Sequence, residues 1–151
     1  MVKNVFKKLG KKQKNNKGFS LVELIVVIAI MAVLVGVLAP QLIKYVEKSR
    51  EATDIQTCDN IATALKTYYA DEEASATATT VTVTLGKTEL GTVADTAVKD
   101  AGLTKAKIKG TKWTGDKITI VYNKADGTIT YTGDSPYYHS DKDQFKKGPK
   151  S

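Results

Sequence analysis

The sequence predicts an α+β protein: a long N-terminal α-helix, apolar in its first half and amphipathic in its second, packed on a small antiparallel β-sheet. Three observations carry this. From Phe19 to Ala39 every residue is apolar or small except Glu23. Beyond it, Ala52, Ile55, Cys58, Ile61, Ala62, Leu65, Tyr68 and Tyr69 recur at three- and four-residue steps, a helical stripe. Further on, Thr80–Leu85 alternates β-branched residues, and Ile118–Tyr122 and Thr128–Tyr131 flank the turn Ala125-Asp126-Gly127.

Residues 1–18 form a basic leader with seven lysines (Lys3, Lys7, Lys8, Lys11, Lys12, Lys14 and Lys17) and no acid. The chain has 23 basic and 16 acidic residues and a net charge of +7. All the acids lie beyond Gly18, where the remaining basic residues balance them, so the excess charge belongs to the leader. Nothing after it calls for a polyanionic partner, and no nucleic acid is expected.

Residues 19–40 follow. As a helix, the apolar run is about 30 Å long, one bilayer core. It exceeds the h-region of an ordinary secretory signal, and Pro40 directly after Val37-Leu38-Ala39 makes a poor cleavage site. The lysines before it place the N-terminus in the cytoplasm and all that follows Pro40 outside. A plain anchor explains length and orientation but not Glu23. A carboxylate at the bilayer centre costs roughly 2.5–3.5 kcal/mol on insertion scales, less near an interface. Cutting between Gly18 and Phe19 would remove the leader and create an amine at Phe19, one helical turn from Glu23. In a bundle of such helices, the carboxylate of one meets the amine of its neighbour and fixes their register.

Lys17-Gly18-Phe19-Ser20-Leu21-Val22-Glu23, followed by the apolar run, resembles the class III signal of type IV pilins and the related pseudopilins. The resemblance spans Lys17 to Pro40 and implies a type IV pilin-like fold. It implies that a prepilin peptidase cuts after Gly18 and methylates Phe19, that Glu23 and Phe19 serve subunit assembly, and that Pro40 kinks or locally melts the long helix. The implied partners are copies of this chain in a helical filament, the peptidase and methyltransferase, an assembly ATPase with its membrane platform, and membrane lipid before assembly. The precursor would sit in the cytoplasmic membrane and the product in an extracellular pilus on a prokaryotic cell. A single cysteine rules out the disulfide that closes many Gram-negative pilins and points to a Gram-positive, clostridial type.

Residues 41–73 read as the amphipathic half of the same helix, which as a whole runs from about Phe19 to about Glu73. Glu51, Asp54, Gln56, Asp59, Asn60 and Lys66 lie between the stripe positions, and Cys58 reads as a small buried hydrophobe. Residues 74–132 read as the globular part. Ala74–Thr80 is a small polar loop, Thr92–Ala101 a short helix stopped by Gly102, and Lys107–Trp113 a further strand, with Trp113 packing between helix and sheet. Residues 133–151 read as a polar surface tail containing the one histidine, His139.

Catalytic chemistry finds no support. No Cys/His pair, P-loop, Gly-x-Ser-x-Gly or His-Glu-x-x-His motif is present. Asp141-x-Asp143 lacks the glycine and glutamate of a calcium loop. No cofactor or metal is expected. The chain reads as a structural subunit of a pilus, with a pseudopilin of a secretion or competence system, or a minor pilin, as the alternative. A tethered binding module with an ordinary anchor is the reading of different class, and it predicts that the leader stays attached and that Glu23→Ala is harmless.

Overall fold

The computed structural model describes residues 18–71, 79–91, 94–141 and 143–148. The chain divides into two compact units between Pro40 and Gln41. Helix α1, Leu21–Asp71, contributes to both. It begins two residues later than the sequence suggests, because Ser20 is spent on the turn that starts it: Leu24 N–H donates to the Ser20 carbonyl at 3.1 Å. The expected end at Glu73 lies outside the described residues, as do most of the loop Ala74–Thr80 and the whole leader before Gly18.

In the second unit, three strands form an antiparallel sheet in the order β1 (Thr80–Leu85), β2 (Ile118–Asn123), β3 (Ile129–Thr132). β1 opposite β2 pairs Thr80 with Asn123 through Leu85 with Ile118, and β2 opposite β3 pairs Thr119 with Thr132 through Tyr122 with Ile129. Strand alternation sends Val83, Leu85, Ile118, Ile120, Tyr122, Ile129 and Tyr131 inward, leaving threonines on the other face. The inward face is covered by Cys58, Ile61, Ala62 and Leu65 of α1, which with Ala97, Val98, Ile108 and Trp113 complete one core. The hairpin between β2 and β3 turns at Gly127, whose φ of 71° is the left-handed geometry the Asp-Gly pair predicts.

Three expectations change. The short helix is α2, Thr96–Asp100, shorter than Thr92–Ala101 because Asp95 caps it, its carboxylate accepting from Ala97 N–H at 3.0 Å. Residues 92–93 lie outside the described set. Lys107–Trp113 is not a strand. The N–H groups of Lys109, Gly110 and Thr111 go to carboxylates on α1, and among the described residues only Ile108 N–H reaches a backbone carbonyl, that of Gly86 at 2.9 Å, which leaves the segment an extended loop. The polar tail contains a hairpin, β4 (Tyr138–Asp141) with β5 (Gln144–Lys147). It folds because Phe145 finds an apolar seat, its ring centroid 5.1 Å from Tyr131 and 5.6 Å from Trp113.

The stripe on α1 is corrected as well. Ala52 is exposed, Ile55 half-buried, and Glu51 and Asp54 are buried with Glu47. The buried positions Glu47, Glu51, Asp54, Cys58, Ile61, Leu65 and partly buried Tyr68 step by four and three throughout. The face is continuous, and its first three members are acids.

Candidate processing and assembly site

Gly18, Phe19 and Glu23 sit together at the start of α1. All three are exposed, Phe19 by 86%. A side chain added at Gly18 would meet no atom within 4 Å, so this fold places no steric demand for glycine there. Ser20 N–H donates to Glu23 Oε2 at 2.8 Å. This is one half of a capping box, in which the acid at the third helical position satisfies a donor the helix leaves orphaned. Ser-x-x-Glu before an apolar run is the sequence signal for it. Glu23 therefore stabilises its own helix start with one oxygen, in favourable contact with the positive end of the helix dipole. Its second oxygen has no partner among the described residues.

Past Glu23 the large apolar side chains stay exposed from Leu24 to Val46. The most apolar 18-residue window of α1 has a mean hydropathy of 3.1 and none of it is buried, so the helix is long and apolar enough to cross a membrane by length and composition. A soluble domain would cover such a surface, and this unit of the chain does not. Pro40 lies inside the helix. It has no N–H to give the Gly36 carbonyl one turn earlier, and Gly36 adds no side chain to restrict that turn.

The acids of the second unit behave differently. Asp54 is 1% exposed and accepts Lys109 N–H and Gly110 N–H at 2.7 Å each and the Trp113 indole N–H at 2.9 Å. Glu47 accepts Thr111 N–H, with Arg50 3.8 Å from its other oxygen. Glu51 accepts the Ser135 hydroxyl on Oε2, while Oε1 is buried without a hydrogen-bond partner. Burial raises the Glu51 carboxyl above its ordinary value; the Ser135 bond opposes this, and the charges of Glu47 and Asp54 add to it. Gly110 is required by space: a Cβ there would lie 2.8 Å from Glu51 Cγ and from Trp113 Nε1, and 2.9 Å from Asp54 Oδ2. This carboxylate row escapes a reading that sorts polar residues to solvent. Stepping the stripe backwards from Cys58 by four, three and four would have found it.

The remaining singled-out residues are structural. Cys58 is buried, and desolvation with the nearby Asp54 and Asp59 pushes its thiol far above the ordinary range, which leaves it unreactive. Tyr69 donates to Asp95 at 2.9 Å and stacks on Tyr122 with centroids 5.9 Å apart. Tyr131 donates to Asp59 at 3.0 Å; burial, then that bond, raises its hydroxyl. The His139 ring bonds the Gly148 carbonyl inside the hairpin. Among the described residues no three His, Cys, Asp or Glu side chains are arranged to hold a metal ion.

An exposed apolar helix long enough to cross a membrane, led by Gly18-Phe19 and started by Glu23, fits a membrane-anchored precursor. Residues 13–39 match the family model of the prokaryotic N-terminal methylation motif. A 78-residue stretch is 38% identical to the prepilin peptidase-dependent protein A of Clostridium perfringens (strain 13 / Type A), covering 50% of this chain and 55% of that one. The chain thus spans about half the length of the curated relative it matches. No solved structure matches. The chain is thus similar in its N-terminal segment to proteins that carry the prokaryotic N-terminal methylation motif, and its long helix packed on a small antiparallel sheet is an α+β layout consistent with a pilin-like fold.

Proposed function

We propose that this chain is the structural subunit of a type IV pilus: a prepilin held in the membrane by residues 19–40, cut after Gly18, methylated at Phe19 and polymerised through its apolar helix. The observation that carries this reading is Glu23. It is the lone carboxylate in an exposed apolar segment, one turn from the amine that cleavage would create, with one oxygen given to Ser20 N–H and the other without a partner among the described residues. In a bundle of apolar helices that oxygen takes the Phe19 amine of a neighbour. Two charges costly alone in hydrocarbon become a pair, and the pair sets the axial register.

Close packing and this ion pair, more than transfer out of lipid, hold such a bundle together. Leaving the membrane is uphill, so an assembly ATPase and its membrane platform are the machinery required. The missing hydrogen bond at Pro40 and Gly36 gives the helix a place to bend or open as subunits pack. The peptidase approaches the backbone at Gly18, where glycine leaves it room.

The test is mass spectrometry of the N-terminal peptide from sheared surface material. The expected peptide begins at methylated Phe19. A chain missing from that fraction and still carrying the lysine leader in membranes would overturn the proposal and favour a tethered binding module. Processed chain confined to the envelope would favour a pseudopilin.

A further inference from the structure

We infer that the open edge of β1 in one copy of this chain pairs with the open edge of β5 in the next, so that the folded domains join head to tail through a shared β-ladder. The inference rests on the filament reading above and specifies a contact that reading leaves open.

The hydrogen-bond pattern shows which backbone groups are free. Thr79 accepts from Lys124 N–H at 2.8 Å, so ladder alternation assigns the backbone bonds of Val81, Val83 and Leu85 to β2. The N–H and C=O groups of Thr80, Thr82 and Thr84 then point away from the sheet. Beside them runs a groove of about 500 Å³, lined by Thr82, Val83 and Thr84 on one side and by Thr88–Leu90, Ala94 and Asp95 on the other. β1 also lacks the usual defences of an edge: it carries no charge, proline or bulge over six residues.

The second open edge is β5, which pairs only with β4 among the described residues. Gly148 N–H donates to the Tyr137 carbonyl at 2.7 Å, so the backbone groups of Phe145 and Lys147 point outward by the same alternation.

Charge selects the partner. The β1 groove is rimmed by Asp95 and by Glu89, which Lys107 meets at 3.6 Å, whereas β5 carries Lys147 and Lys146, the latter held by Asp141 at 2.5 Å, with Lys48 of α1 close enough that the Lys147 charge lowers its amine below the usual value. Pairing β1 with β1 would set acid against acid, and pairing β5 with β5 would set lysine against lysine. Of these three pairings among the described residues, β1 with β5 is the complementary one. A contact between two different edges does not close on itself as a dimer does; it repeats from copy to copy, as a filament requires.

Disulfide capture in cells tests this with the full chain. Neighbouring residues in a bonded pair have Cα atoms about 5.5 Å apart, within disulfide reach. The double variants Thr82→Cys/Lys147→Cys and Thr84→Cys/Lys147→Cys cover two registers, and native Cys58 is buried. The expected result is a ladder of covalent multimers in a double variant and none in any single variant. Dimers from Thr82→Cys alone, or from Lys147→Cys alone, would show a symmetric contact and overturn the inference. So would sheared fibres in which both double variants run as monomers. Thermal melting of each variant checks that the domain is folded. Absence of fibres from the wild type would sink the filament reading, and the ladder assay on membranes then decides the strand pairing separately: multimers keep it and monomers overturn it.

Discussion

The two halves of α1 treat the same side chains in opposite ways. From Leu24 to Val46 large apolar residues lie exposed, and the one carboxylate, Glu23, is served by its own helix start. From Glu47 onward three carboxylates are buried and the apolar residues beside them are covered. The difference is where the partner comes from. The second half finds its partners in this chain: the sheet for Cys58, Ile61 and Leu65, and the donors of Lys109, Gly110, Thr111 and Trp113 for the acids. The first half has no cover among the described residues of its own unit, and the proposed membrane and filament would supply it. Asp54 meets three donors, whereas Glu51 keeps one buried oxygen unpaired and has its carboxyl raised by burial, so a buried acid is tolerated either through hydrogen bonds or through a shift toward its neutral form.

The comparison breaks first at Glu23. Glu23→Val should insert in the membrane at least as well as the wild type, yet lower the mass of sheared fibres by tenfold or more. Wild-type fibre yield by quantitative immunoblot would remove the pairing idea. The matching change in the second half is Asp54→Ala. It strands two backbone donors and the Trp113 indole in a buried site, and should cost about 3–5 kcal/mol. Thermal unfolding followed by Trp113 fluorescence reads it; an unchanged midpoint would mean that the 109–113 loop is held by something other than the carboxylate.

Gly110→Ala is smaller. Its methyl must displace Glu51 and the indole, a loss of about 1–3 kcal/mol by the same assay. A neutral result would show that the carboxylate row yields easily.

Glu51 gives the smallest effect and one that depends on pH. Its carboxyl is raised in the folded chain, so the folded state holds a proton that the unfolded state releases. The stability this contributes is fully present below the ordinary carboxyl value of about 4.3 and is lost as pH rises through the raised value. Glu51→Gln, which stays neutral, should flatten that part of the profile in denaturant titrations from pH 4 to 8. An unaltered slope in the variant would show that Glu51 does not carry it.

The sequence by itself determined the helix, its apolar first half, the antiparallel sheet of β1, β2 and β3 and the Asp126-Gly127 turn. Each is set by local periodicity or turn chemistry that neighbours in sequence already satisfy. Glu23 and its spacing from Phe19 were legible too, because a single acid in an apolar run has no local explanation. Tertiary structure decided what long-range partners control. Glu51 and Asp54 looked solvent-facing until donors more than fifty residues away turned inward to meet them. Lys107–Trp113 looked like a strand until carboxylates of α1 took the donors of Lys109, Gly110 and Thr111. The tail looked polar until Phe145 found Trp113 and Tyr131. In each case composition gives the cost of burying or exposing a group, and only the folded chain supplies the partner that offsets it.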